Sequence, residues 1–259
     1  MKFTLSLSPW TVSRFLIQVI LGLALLSIAG QLMLYFLPEH PFITYFANAF
    51  NLDSERNIPT LYSATTLLFC AILLGAIAYA KNLEKARYTR HWMILSAIFF
   101  YLSVDEAKQL HEKLIDPMQS LLNASGFLLF TWVVPAAIFL AIFGLYYLKF
   151  VAHLPIKFKK LFLMAGFVYV GGALGMELLG GYEASVNGIE SVIYKILATI
   201  EEVLEMLGIV IFIHALHSYI IVLLNELILE VTLEDATQIF ARKMRTATLT
   251  PESYSQDVT

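Results

Sequence analysis

Apolar runs of about twenty residues, the length needed to cross a hydrocarbon core about 30 Å thick, constrain this chain more than any other feature. Four run almost unbroken, at residues 15–37, 59–80, 127–150 and 161–180. Two more are less pure. One starts near Trp92 and runs into "LSVDEAKQLHEKL"; the other starts near Ile189 and continues to about Leu224. A backbone in lipid must satisfy its own hydrogen bonds, so spans of this kind are helices. Composition agrees: mean hydropathy is +0.73 and charged residues are 14% of the chain, against about a quarter in soluble domains. The expected fold class is therefore all-α, an integral membrane six-helix bundle over residues 1–225. A cytoplasmic amphipathic segment over 226–245 and a flexible tail over 246–259 are expected to follow.

The first run is read as a retained helix and not a signal peptide, because its apolar character continues to Leu37, past the length of a cleavable core. Pro38, Pro41, Pro59, Pro155 and the pair Gly180-Gly181 mark breaks between helices. Cys70 sits inside an apolar run and reads as a small buried hydrophobe. Basic residues set the orientation. Thirteen of the seventeen Lys and Arg fall before the first span, between the second and third, between the fourth and fifth, or in the tail. The remaining four are Arg56, Lys108, Lys113 and Lys195. The positive-inside rule then puts both termini on the cytoplasmic face of a plasma or inner membrane.

Acids show the opposite bias, and topology does not require it. Thirteen of twenty lie toward the outer face. On a continuous third helix Asp105, Lys108, His111 and Glu112 fall on one arc, roughly a third of the circumference, and Glu106 lies off it. Glu177 sits near the outer end of the fifth span, and Glu201, Glu202 and Glu205 near that of the sixth; Asp53, Glu55 and Arg56 reach the same level before the second. Gly171 and Gly175 have the small-xxx-small spacing that allows another helix close. His214 and His217 belong to the opposite end, and His40, His91 and His153 to loops or interfaces. Trp10, Trp92 and Trp132 read as anchors or packing groups.

Taken together, "NLDSERNIPTLYS", "LSVDEAKQLHEKL", "GMELLGG" and "IEEVLEMLG" resemble a family of bacterial multi-spanning membrane proteins of unknown function, over about residues 45–225. The resemblance implies a shared bundle and supplies no activity. Seven-helix hydrolases of the alkaline ceramidase type are a weaker match, since their helix count differs and the two His groups here lie at opposite faces.

Carboxylates that outnumber cations in a bundle need protons or a bound cation. Asp105, His111, Glu112, Glu177, Glu201 and Glu205 are therefore candidate ligands of a divalent metal ion, with Lys108 as an internal counter-charge. Carboxylates with one imidazole leave the metal open. Glu106 and Glu202 are candidate general bases for metal-dependent chemistry on a membrane lipid or small molecule. The alternatives are a proton- or cation-coupled transporter and a non-catalytic scaffold or assembly protein. Self-association is compatible with each. No glycine-rich phosphate loop, nucleophile elbow or nucleic-acid patch is present.

Overall fold

Three helices begin where a polar side chain meets a proline. A computed structural model describes residues 8–247, and side chains over residues 8–224. In it α1 (Pro9–Phe36) is capped by Ser8, whose hydroxyl accepts from the Thr11 N–H at 3.2 Å. His40 caps α2 (Pro41–Phe50) through Nδ1, and Asn57 caps α3 (Ile58–Leu83) by accepting from the Thr60 N–H at 3.2 Å. Each proline lies in the first turn, where a missing N–H costs nothing. The remaining helices are α4 (Thr89–Lys108), α5 (Ile115–Leu122), α6 (Val133–His153), α7 (Ile156–Val170), α8 (Glu177–Asn187) and α9 (Val192–Ala247). No strand occurs among the described residues.

Five helices are long and apolar enough to cross a membrane: Pro9–Phe36, Ile58–Leu83, Val133–His153, Ile156–Asn187 and Val192–Leu224. Their outer faces carry side chains that water would not tolerate in such density, including Phe167 at 82% exposed, Leu145 at 72% and Leu25 at 67%. Lipid is the solvent that accepts them, and the chain is an integral membrane protein. Contacts divide it into Met1–His217, which holds everything described below, and Ser218–Thr259. Within the second unit α9 continues to Ala247. The expected amphipathic stretch 226–245 is helical in backbone; its side chains, and the tail over residues 248–259, lie outside the described residues.

Polar ties fix how neighbours run. Ser103 donates to the Ala64 carbonyl at 2.7 Å and Ser96 to that of Ala71 at 2.8 Å. Positions rise on α4 as they fall on α3, so the two are antiparallel. The Tyr147 hydroxyl donates to the His91 carbonyl at 2.8 Å, which sets the end of α6 beside the start of α4. A core cluster of Ile20, Leu23, Leu52, Met206 and Val210 joins α1, the loop before α3 and α9.

The α7–α8 span and α9 approach closely, and the glycines responsible are not the expected ones. Gly171 and Gly175 have nothing within 4 Å of where a Cβ would stand. Gly208 instead lies against the Tyr169 backbone, a Cβ there meeting Tyr169 N and Cβ at 2.7 Å, and Gly172 lies against the Glu201 carbonyl at 2.9 Å. A π-helical turn, Gly171–Met176, joins α7 to α8. Its wider winding shifts the facing of every later side chain away from the 3.6-residue period. Gly180 and Gly181 do not end the helix either. Both are buried within α8, where Tyr194 and the Gly126 carbonyl pack on them, and α8 continues to Asn187.

Since the Gly208 contact is backbone on both sides, Gly208→Ala is expected to lower stability by about 1–3 kcal/mol, the usual cost of overpacking. Gly171→Ala and Gly175→Ala are expected to be neutral or slightly stabilising. Thermal unfolding in detergent micelles compares the three; equal effects would contradict this packing.

Candidate functional site

The site begins where α4 stops. Gln109 takes a left-handed conformation (φ 55°) at the C-cap, and its N–H donates to the Asp105 carbonyl at 2.7 Å. The chain therefore leaves the helix axis instead of continuing through His111 and Glu112, as the sequence pattern had suggested. The shared arc of Asp105, Lys108, His111 and Glu112 does not exist, because it assumed one uninterrupted helix. What the break provides is a tighter contact. The Asp105 carboxylate accepts the His111 backbone N–H on Oδ1 at 2.9 Å and meets the ring Nδ1 on Oδ2 at 3.0 Å. With Nδ1 held by a carboxylate, Nε2 is the nitrogen left for other chemistry, an arrangement common behind metal-bound histidine.

Lys108 is exposed and forms no ion pair with a described residue, so it is not the internal counter-charge expected of it. Placed on the last turn of α4, it points to water and favours the negative end of the helix dipole. Lys195 pairs with the exposed Glu190 at 2.8 Å.

Glu55 arrives from the loop before α3. Asn57 anchors that loop by donating to the carbonyls of Asn48 and Asn51 at 3.2 and 2.7 Å, and the Leu52 N–H donates to the buried Ser27 hydroxyl at 3.1 Å. One ligand atom each from Glu55, His111 and Glu112 lies within 4.8 Å of the others. The Glu55 Oε2 atom is buried and has no hydrogen-bond partner among the described residues, an anomaly for a carboxylate oxygen that a cation would remove. Ligands around one ion stand about 2.0–2.2 Å from it, so closure needs only a small turn of Glu112, which is exposed. Hard oxygens with one imidazole suit a divalent ion such as zinc or manganese.

Electrostatics at the site follow from this crowding. Burial, and then the charge of Glu112, push the Glu55 carboxyl up from 4.5 to about 7, with His111 and Gln109 pulling the other way. For His111, burial alone would depress the imidazolium. The hydrogen bond and charge of Asp105, with Glu55 and Glu112, outweigh it and raise the ring from 6.5 to about 9.

The remaining acids form a layer of their own. Glu177 accepts from the Trp132 indole N–H at 2.6 Å and has Glu201 as its other hydrogen-bond neighbour. Glu106 and Glu205 line a cavity of about 10 Å³, the size of one water, with Ser63, Thr66 and Tyr169. Glu202 lies one residue along α9 from Glu201, near Glu205. Of the expected ligands, His111 and Glu112 thus join a three-residue group, Asp105 stands directly behind it, and Glu177, Glu201 and Glu205 are not part of it. Glu55 was not among the expected ligands, although its level before the second span was legible. Trp132, read as an anchor, packs on the His111 ring at 4.9 Å between centroids, tilted by 52°. Nothing in its sequence neighbourhood signalled that, since its partners are 21 and 45 positions away.

Fold and site together define a helical membrane protein with an acidic, imidazole-containing cluster at one end of its bundle. The chain belongs to the family described as Domain of unknown function (DUF8692), which it matches over residues 17–220. That range contains every residue of the cluster. No curated protein and no solved structure matches the chain.

Both Glu55 and His111 have folded-state values raised above their unfolded ones. Their stabilisation is therefore complete below 4.5 and 6.5 respectively, and is lost as pH rises through about 7 and about 9. Metal-free protein is expected to lose stability steadily from pH 5 to pH 9.5. Asp105→Asn, which removes the charge holding the imidazolium, is expected to abolish the decline between pH 7 and 9.5. Denaturation midpoints in chelator-treated micelles check both statements.

Proposed function

We propose that this is a six-span membrane protein that binds a divalent metal ion at the outer face and uses it for hydrolytic chemistry on a lipid or small molecule there. The sixth span is α4. Its twenty residues cover about 30 Å at 1.5 Å per residue, and its antiparallel packing on α3 gives it the direction that alternation requires. It falls outside the five apolar helices because Arg90, Asp105, Glu106 and Lys108 lie on it. The basic residues of the connections support cytoplasmic termini in a plasma or inner membrane, which turns the Glu55–His111–Glu112 end outward. Residues 1–225 then act as the membrane domain, with 226–245 on the cytoplasmic surface and 246–259 as a tail.

The observation that carries the reading is the convergence of three ligand atoms from two separate segments, one of them Glu55, whose buried Oε2 has no hydrogen-bond partner among the described residues. His111 Nε2, Glu55 and Glu112 would hold the ion. Three protein ligands leave a coordination position open, the pattern of catalytic rather than structural sites. When bound, such an ion supplies a Lewis acid and lowers the pKa of a water molecule on it. Asp105 orients the imidazole and fixes its tautomer. Glu106, next to Asp105 on α4, and Glu202 are the carboxylates proposed to take the proton of the attacking water. Glu177, Glu201 and Glu205 support the site from behind.

One observation favours a second reading. The cavity walled by Glu106, Glu205, Tyr169, Ser63 and Thr66 lies inside the bundle, and carboxylates at such positions are typical of proton or ion paths. On that reading the outer group is the entry of a cation-coupled transporter.

Purified protein is expected to bind about one equivalent of zinc or manganese, measured by elemental analysis after gel filtration. His111→Ala and Glu55→Gln are each expected to lose it. Affinity is expected to rise between pH 6 and 9, since protons on Glu55 and His111 compete with the metal. Metal binding without hydrolysis of any lipid class, together with metal-driven flux in liposomes, would replace the enzymatic reading by transport. No metal at any pH would end both.

A further inference from the structure

We infer that Glu177 is a positioning residue of the Glu55–His111–Glu112 group, acting through the indole of Trp132; this rests on the metal-binding reading above and deepens it.

The argument starts from what holds the His111 ring. Asp105 grips Nδ1 and the backbone N–H, which fixes one edge of the imidazole and leaves the ring able to swing about that edge. The swing decides where Nε2 points. The side chain in its way is Trp132, with ring centroids 4.9 Å apart and planes tilted by 52°. Trp132 occupies the N-cap of α6, where its carbonyl accepts the Ala136 N–H at 3.2 Å; that bond fixes the backbone and does not account for the ring's orientation. Its indole N–H does. An indole nitrogen is a donor only, and here its acceptor is Glu177 Oε1 at 2.6 Å.

Glu177 is itself held from two sides. It is the first residue of α8, directly after the π-helical turn Gly171–Met176, and that turn is pressed to α9 at Gly172. The other hydrogen-bond neighbour of its carboxyl is Glu201 of α9. A line of contacts therefore runs from the α8–α9 interface through Glu177 and Trp132 to the imidazole. Without the acceptor, the indole loses its orientation and His111 loses its stop.

Glu177 could affect the metal site in two other ways: as a direct ligand, or as a packing group with no bearing on His111. The variants separate these. Glu177→Gln keeps an acceptor for the indole but is a poor ligand. Glu177→Ala removes the acceptor. Trp132→Phe keeps a ring against His111 and removes the donor, and serves alone should Glu177→Ala not fold. Full-length protein in micelles is titrated with cobalt(II), whose visible absorption reports its coordination. The expected result is near-unchanged affinity in Glu177→Gln and about tenfold weaker binding in Glu177→Ala and Trp132→Phe, a usual cost of losing support behind a ligand. Trp132→Phe/Glu177→Ala is expected to be no worse than either single variant, because both cut one line. Wild-type affinity in Glu177→Ala, loss in Glu177→Gln as deep as in Glu55→Gln, or additive losses in the double variant would each overturn the inference.

A metal-free measurement keeps this distinct from the metal-binding reading. The His111 Nδ1–H proton, sheltered by Asp105, is expected as a downfield resonance absent from His111→Ala. It should persist in Glu177→Gln and broaden away in Glu177→Ala and Trp132→Phe. If unmodified protein binds no cobalt while this pattern holds, the metal reading fails and the positioning role stands. If the resonance is unmoved in Glu177→Ala and Trp132→Phe, the positioning role fails whatever the metal does.

Discussion

Where α4 ends, one carboxylate closes a turn that everything at this end of the bundle depends on. Asp105 is still helical; four residues later the backbone has passed through the left-handed Gln109. Asp105 then accepts the His111 backbone N–H and binds its ring. A left-handed conformation at a residue other than glycine costs about 1 kcal/mol or more, and two hydrogen bonds to a charged acceptor more than offset it. Continuing the helix would have carried His111 a further turn and a half away from Asp105. Breaking it brings the two groups together and sets His111 beside Glu55 and Glu112.

The rest of the site is supported by helix packing of a kind that lipid makes necessary. Apolar side chains gain nothing by meeting each other when the solvent is itself apolar, so helices in a membrane associate through close backbone contact and polar ties. Gly208 on Tyr169 and Gly172 on Glu201 supply the first; Ser96 and Ser103 donating to α3 carbonyls supply the second. The π-helical turn joins these to the chemistry. Gly172, within it, lies against α9, and Glu177, the residue after it, accepts from the indole of Trp132, so a close interface and the support of the imidazole are neighbours in the chain.

Buried acids make such support necessary. A carboxylate away from water must find a donor, a cation or a proton. Glu177 has the indole N–H, Asp105 has His111, and Lys195 answers only Glu190 at the surface. One oxygen of Glu55 meets no donor among the described residues, and Glu55 is the residue that converges with His111 and Glu112.

Much of this was legible without coordinates, for a physical reason. Crossing a bilayer requires long apolar runs, and those runs are a property of consecutive residues, so α1, α3, α6, the α7–α8 span and α9 were readable, as was the break at Pro59; the short helix α2 after Pro41 was not. The clustering of acids toward one end was readable too, since depth along a helix is a linear function of position. Facing was not. Gly171 and Gly175 looked like the contact pair, and Gly172 with Gly208 took that role; the π-helical turn that re-aims the residues after it is announced by nothing local in the sequence. Asp105 and His111 were placed on one helix face, and they meet across a helix end. The sequence by itself determined that the chain carries several long apolar helices and that its acids gather toward one end of them. Only the tertiary structure decided that Glu55, His111 and Glu112 converge and that Trp132 links Glu177 to the imidazole, because those contacts join residues 21 to 57 positions apart and depend on angles that composition does not carry.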